Sequence, residues 1–232
     1  MVKRVITALL GLPFIIAILI FANNYVFSAI LTIVAMISLR EYFNAFKSKA
    51  KPVEWIGYIA CLLIAVITII PKQYILYVIG LTIPLLVAIL FIQVIVTNMK
   101  TTVNDIIITL FGIIYVVGFL IFIPLIFNLE KGKILIWYIF ITAWGSDSAA
   151  YFVGINFGKH KITPISPKKS LEGCIGGIVG AVALAEVFTL GFNTFVNAEL
   201  SYLIMGAIVG VATIFSQFGD LAASTIKRYA EI

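Results

Sequence analysis

Histidine occurs once in this chain, at position 160, and cysteine only at 61 and 174. A lone histidine excludes a histidine-based metal centre. Two cysteines, one inside an apolar run and one beside a glycine cluster, make neither a disulfide framework nor a thiolate metal site. Charge is scarce too, at 11% of 232 residues. No GxxxxGK[ST] loop is present, which excludes a Walker-type nucleotide site. The apolar stretches show none of the apolar–polar alternation of a membrane β-barrel.

What the chain has instead is hydrocarbon: 62% of its residues are hydrophobic and the mean hydropathy is +1.17. A soluble domain of this length cannot hide that much apolar surface, whereas a bilayer accepts it in spans of about 20 residues. Eight spans are expected, at 5–22, 25–39, 55–70, 74–97, 106–127, 134–154, 171–190 and 202–221. The expected fold is all-α, a polytopic integral membrane protein of about eight transmembrane helices. It forms a single transmembrane domain over 1–232, with a five-span region at 1–133 and a region at 134–232 that carries the polar motifs. The N-terminal Met-Val-Lys-Arg and its apolar run read as a retained first span, because the run is too long for a signal peptide and no small-x-small site follows.

With the N-terminus in the cytoplasm, 13 of the 16 Lys and Arg residues fall on the inner side, leaving only Lys72, Lys131 and Lys133 outside. That split follows the positive-inside rule and attraction to anionic headgroups. The net charge of +6 therefore reflects topology and gives no support to nucleic-acid binding.

Three polar clusters ask for more than topology. The inner loop GKHKITPISPKKSLEG, 158–173, carries four lysines and ends at Ser170, a candidate N-cap with Glu172 in the first turn. Lys168 and Lys169 immediately before a helix N-terminus suit a phosphate-rich ligand, although an ordinary basic loop reads the same way. Gly173, Gly176, Gly177 and Gly180 then recur at helical spacing, which points first to close helix packing and second to ligand approach over bare backbone. On the last span, Thr213, Ser216, Gln217, Asp220, Ser224, Lys227, Arg228 and Glu231 share one face. That stripe should face a cavity or another helix, since lipid would penalise it.

Asp147 is the most isolated charge, with no basic residue nearer in sequence than Lys133 or Lys159. Counted from Ile134 it lies roughly 20 Å into a core of about 30 Å, past the midplane on the cytoplasmic side. Asp220 falls near the same face. Carboxylates beside phosphate-binding groups suggest Mg²⁺ with a nucleotide or polyphosphate. Glu186, nearer the outer end of its span, reads as structural.

DSAAYFVG (147–154), SPKKSLEG (166–173) with Gly176-Gly177, and GDLAASTIKR (219–228) together resemble the phosphatidate cytidylyltransferases, or CDP-diacylglycerol synthases. The resemblance implies transfer of CMP from CTP to phosphatidate at the cytoplasmic side of a bacterial cell membrane. It implies Mg²⁺ as cofactor, CTP, phosphatidate and membrane lipids as partners, and no nucleic acid. A homodimer is allowed, the oligomeric state being unreadable. The site residues it implies are Asp220 as metal ligand, Asp147 as a metal-linked or lysine-positioning carboxylate, and Lys168 and Lys169 as phosphate ligands. Ser170 caps their helix, while Ser224, Lys227 and Arg228 open the family signature and hold phosphatidate or pyrophosphate.

Two departures stand out. Ala223 occupies a position where many members carry Glu. The family signature also continues beyond Lys-Arg with further acidic residues and a ninth span, whereas this sequence ends at Ile232, so a fragment of a longer enzyme is the expectation. Two alternatives stay open: a CTP-dependent transferase acting on another lipid, and an ion-coupled transporter using Asp147 and Asp220. The transporter would show inverted repeats, and no such symmetry is visible.

Overall fold

The computed structural model describes the backbone of residues 2–231 and the side chains of residues 11–231. Twelve α-helices succeed one another: α1 (Val2–Phe21), α2 (Asn24–Ala45), α3 (Glu54–Cys61), α4 (Leu63–Ile69), α5 (Lys72–Val96), α6 (Val103–Gly112), α7 (Gly118–Leu120), α8 (Phe122–Phe127), α9 (Gly132–Phe140), α10 (Ser146–Phe157), α11 (Leu171–Val196) and α12 (Tyr202–Ala230). Single π-helical turns, Ile113–Val117 and Ile141–Gly145, join α6 to α7 and α9 to α10. No strand occurs among the described residues. Five helices are long and apolar enough to cross a membrane: Asn24–Ala45, Lys72–Val96, Val103–Phe127, Leu171–Val196 and Tyr202–Ala230. The chain is an all-α, multi-pass membrane protein.

The remaining expected spans also fall on helix: α1, the shorter apolar helix Glu54–Ile69, and the run from α9 through α10. Lys3 and Arg4, used in the charge split, have side chains outside the described residues. The span expected at 25–39 extends to Ala45, because Tyr42 and Phe43 continue the buried stripe begun by Phe27, Ser28, Thr32, Ala35 and Leu39. Its start is set by Asn23, whose side chain accepts from Val26 N at 2.9 Å.

The described chain packs as two compact units, Met1–Glu130 and Lys131–Ile232. In the first, α2 is the central element. A Cβ added at Gly57 would lie 2.8 Å from Leu39 and Phe43, and one at Gly112 would lie 2.5 Å from the Tyr42 ring. Only glycine lets α3 and α6 approach α2 so closely.

The same unit buries a carboxylate that hydropathy and motif patterns do not mark. Asp105 is 4% exposed. It forms a capping box with Thr102 and its Oδ1 accepts from the backbone N–H of Lys51 at 2.6 Å. Thr109, also buried, accepts from Val53 N at 2.8 Å, so α6 holds the α2–α3 connection through two side chains. Asp105→Ala removes a charged acceptor from three donors and is expected to lower stability by about 2–4 kcal/mol. An unchanged thermal midpoint of the detergent-solubilised protein would show that Asp105 is dispensable.

In the second unit, Tyr138, Ile141, Ala181, Ala185, Met205 and Val209 form the buried core. The Tyr138 hydroxyl pairs with Thr189 Oγ1 at 2.8 Å. Gly206 lets α12 approach the Glu186 carboxylate. At the far turn, Asn193 exchanges two hydrogen bonds with the backbone of Leu200, each 2.8 Å, and so fixes the α11–α12 connection.

Candidate active site

The close approach of α10 and α11 positions everything else. A Cβ at Gly176 would lie 2.5 Å from Val153 Cγ2, one at Gly173 would lie 2.9 Å from the Ala150 carbonyl oxygen, and one at Gly180 would overlap Ala149. The glycine stripe therefore serves packing, the first of its two sequence readings. It brings the helix that carries Asp147 against the helix that begins at Leu171.

The connection between those helices, 158–170, folds back on itself. Lys161 and Ser170 form an isolated antiparallel bridge, with Leu171 N donating to the His160 carbonyl at 2.9 Å and Ile162 N to that of Lys169 at 3.3 Å. Pro164 and Pro167 keep this stretch from continuing as helix. Ser170 is 4% exposed and caps α11 by accepting from Gly173 N at 3.2 Å.

Glu172 adds a fastening that the sequence did not reveal. Its carboxylate accepts from Lys159 N at 3.1 Å and His160 N at 3.3 Å, and contacts His160 Nδ1 at 2.6 Å. The only signal in the sequence was its first-turn position. The far side of the loop is tied to α12, where Arg228 donates to the Pro164 carbonyl at 3.0 Å.

The polar stripe of α12 meets these elements. Thr213 is buried, and Gln217 donates through Nε2 to the Cys174 carbonyl of α11 at 2.9 Å. Lys169 Nζ sits 2.9 Å from Asp220 Oδ2 and also reaches the Gln217 carbonyl at 3.5 Å. The charges of both Asp220 and Lys169 act on Asp147. Residues 147, 169 and 220, on three separate elements, thus share one electrostatic neighbourhood. Lys169, expected as a phosphate ligand, is in this structure the partner of Asp220.

The other expected site residues are placed differently. Ser224 turns its hydroxyl back onto the Asp220 carbonyl of its own helix at 2.9 Å. The Lys168 and Lys227 side chains are exposed and form no hydrogen bond or ion pair among the described residues. Ala223 leaves no carboxylate in the turn after Asp220.

No cluster of three or more His, Cys, Asp and Glu among the described residues could hold a metal by itself. Asp147 and Asp220, each within the other's electrostatic reach, are the kind of group Mg²⁺ takes, since it needs only one or two carboxylates and completes its octahedron with water and substrate phosphate oxygens. A structural metal that needs a full protein cage does not fit this donor set.

Comparison with known proteins bears on the same segments. A family model described as "Cytidylyltransferase family" matches residues 2–232. The phosphatidate cytidylyltransferase of Bacillus subtilis (strain 168) is 39% identical over 107 residues, which cover 45% of this chain and 38% of that protein. Its Haemophilus influenzae counterpart is 44% identical over 100 residues, 42% of this chain and 34% of the relative. That of Thermotoga maritima is 34% identical over 121 residues, 51% and 44% respectively. The matched part thus spans less than half the length of each of these relatives. Because the family model covers the chain almost from end to end, this chain belongs to the cytidylyltransferase family.

Proposed function

We propose that this chain carries the reaction site of a phosphatidate cytidylyltransferase, which joins CTP and phosphatidate into CDP-diacylglycerol and releases pyrophosphate. The observation that carries the reading is the Lys169–Asp220 ion pair, at 2.9 Å and within electrostatic reach of Asp147. In the reaction a phosphate oxygen of phosphatidate bonds to the α-phosphorus of CTP. The bond from that phosphorus to the bridging oxygen breaks, and pyrophosphate leaves with the electron pair.

Two polyanions must meet in line, so the protein's task is orientation and charge neutralisation. Asp220 and Asp147 would hold Mg²⁺, which when bound neutralises phosphate charge. Lys169 orients Asp220 and brings a second cation to the site. Lys168, Lys227 and Arg228 attract the phosphates, with Arg228 also steadying the loop through Pro164. Ser170 fixes where α11 begins, and Ser224 stiffens the turn after Asp220. The lipid substrate enters from the bilayer, and CTP from the cytoplasm.

The proposed location is the bacterial cytoplasmic membrane with the N-terminus and the 158–170 loop inside, supported by the 13-to-3 charge split. In sealed cells, an impermeant thiol reagent added outside should label a cysteine placed at Phe195, which is 86% exposed, and miss one placed at Lys161. The reverse pattern would put the reaction site on the wrong side for CTP.

The direct test of function is product formation by membranes containing the protein as the cell makes it, given CTP and phosphatidate. CDP-diacylglycerol and pyrophosphate in equal amounts are expected. Turnover with another lipid acceptor and none with phosphatidate would reassign the substrate within the family.

A further inference from the structure

Two cavities in unit Met1–Glu130 take no part in the proposed reaction. The first, of about 480 Å³, is lined by Lys51, Glu54, Trp55, Tyr58, Gln93 and Thr101 among others. The second, of about 330 Å³, is walled by residues such as Ile67, Ile83, Leu86, Ile114 and Phe119. Both lie along the same three segments: α3–α4, α5, and the stretch from Thr101 through α6 to Phe122. On α5, Gln93 faces the first cavity, and Leu86, Ile83, Thr82 and Ile79 face the second. Steps of seven, three and four residues put Gln93, Leu86, Ile83 and Ile79 on one helical face, with about 10 Å between Gln93 and Leu86.

The two cavities differ in chemistry. Thr82 is the only side chain lining the apolar cavity that carries a hydrogen-bonding group, and its hydroxyl donates to its own helix at Val78 O, 2.7 Å away. A ligand there is offered hydrocarbon alone. Part of the wall is the π-turn Ile113–Val117, a feature enriched at functional positions. Around the polar cavity stand Lys51, which lines it, Lys47 beside Glu54, Arg40 within electrostatic reach of Tyr58 and Lys100 next to the lining Thr101, against Glu54 and Asp105. One of those acids, Asp105, is taken up by backbone donors, and Glu54 shares its charge with Lys47 at 3.7 Å. Positive charge is left in excess. Trp55, 49% exposed, and Tyr58 are residue types that settle at headgroup level.

We infer that these cavities together bind one anionic phospholipid, with its phosphate headgroup in the polar cavity and one acyl chain in the apolar one. Leu90, fully buried on the same face, lies between them in sequence. A ligand occupying both must reach about 10 Å along α5, which a phospholipid does and a water-soluble phosphate does not. The site lies wholly in this unit and is independent of the residues assigned to catalysis.

Native mass spectrometry of the purified protein, equilibrated with phosphatidylglycerol or with phosphatidylcholine, tests the inference. One retained phosphatidylglycerol is expected, in preference to phosphatidylcholine. Lys51→Ala with Trp55→Ala should cut retention by about fivefold or more, the size of one lysine's attraction to an anionic headgroup. Gly118→Leu should cut it independently by filling the apolar cavity. A Cβ there meets nothing closer than Ile114 Cγ2 at 3.9 Å, and an unchanged thermal midpoint checks that each variant still folds. Equal retention of both lipids, indifferent to the variants, would mean only general bilayer contact and overturn the site. Displacement by soluble glycerol phosphate or inorganic phosphate would equally overturn it, in favour of a free-anion site.

Discussion

Replacing Asp220 by asparagine is expected to lower CTP-dependent transfer to phosphatidate by about 10²–10³-fold, with the protein still folded and inserted. The side chain keeps its shape but loses the charge that would face Mg²⁺, and a metal-borne charge is worth several kcal/mol in such a transition state. Folding should survive because the Asp220 side chain is 52% exposed, where an ion pair adds little stability. The remaining activity should need more Mg²⁺, a shift that a purely structural role would not produce. Asp147→Asn is expected to act in the same direction, since Asp147 lies within the field of the same pair. Wild-type rates for Asp220→Asn at low Mg²⁺ would remove it from the reaction site and with it the mechanism proposed for this chain.

The second large effect is steric. Gly176→Ala places a methyl group 2.5 Å from Val153 Cγ2 and 2.6 Å from its Cβ. Val153 is β-branched and has no free rotamer into which to retreat, so α10 and α11 must separate. Overpacking of this kind costs about 1–3 kcal/mol. The larger loss should be in activity, because Asp147 rides on α10 while Lys169 leads into α11, and misplacement by about 1 Å can cost 10²-fold. Val153→Ala in the same protein should restore both stability and turnover. If the double variant is no better than Gly176→Ala alone, the helix contact is not what positions the carboxylate.

Much of the architecture is legible in the order of the residues, because lipid imposes a simple rule. Apolar runs long enough to span a bilayer must be helical to satisfy their own backbone, and all eight expected spans fall on helix, some with a single break. Three of them, 25–39, 171–190 and 202–221, stop well short of their helix ends; for 25–39 the reason is that Arg40 and Glu41 break its hydropathy, while the buried face passes behind them to Tyr42 and Phe43. The polar stripe on α12 and the glycines of α11 were equally legible, since helical period is a property of the chain alone. Asp105 was not. A carboxylate next to a polar turn reads as surface until the α2–α3 connection is laid across it.

Composition and period thus determined the class, the spans and the set of residues able to do chemistry, because each depends on neighbours a few positions away. Tertiary packing decided which of them meet. Lys169 and Asp220 are 51 residues apart in sequence and 2.9 Å apart in space. Arg228 reaches Pro164 across 64 residues, and Glu172 turns back to hold His160 across 12. Spacing alone selects none of those partners, since each requires α10, α11 and α12 to be set at separations fixed by glycines and small residues on faces that only the folded chain brings together.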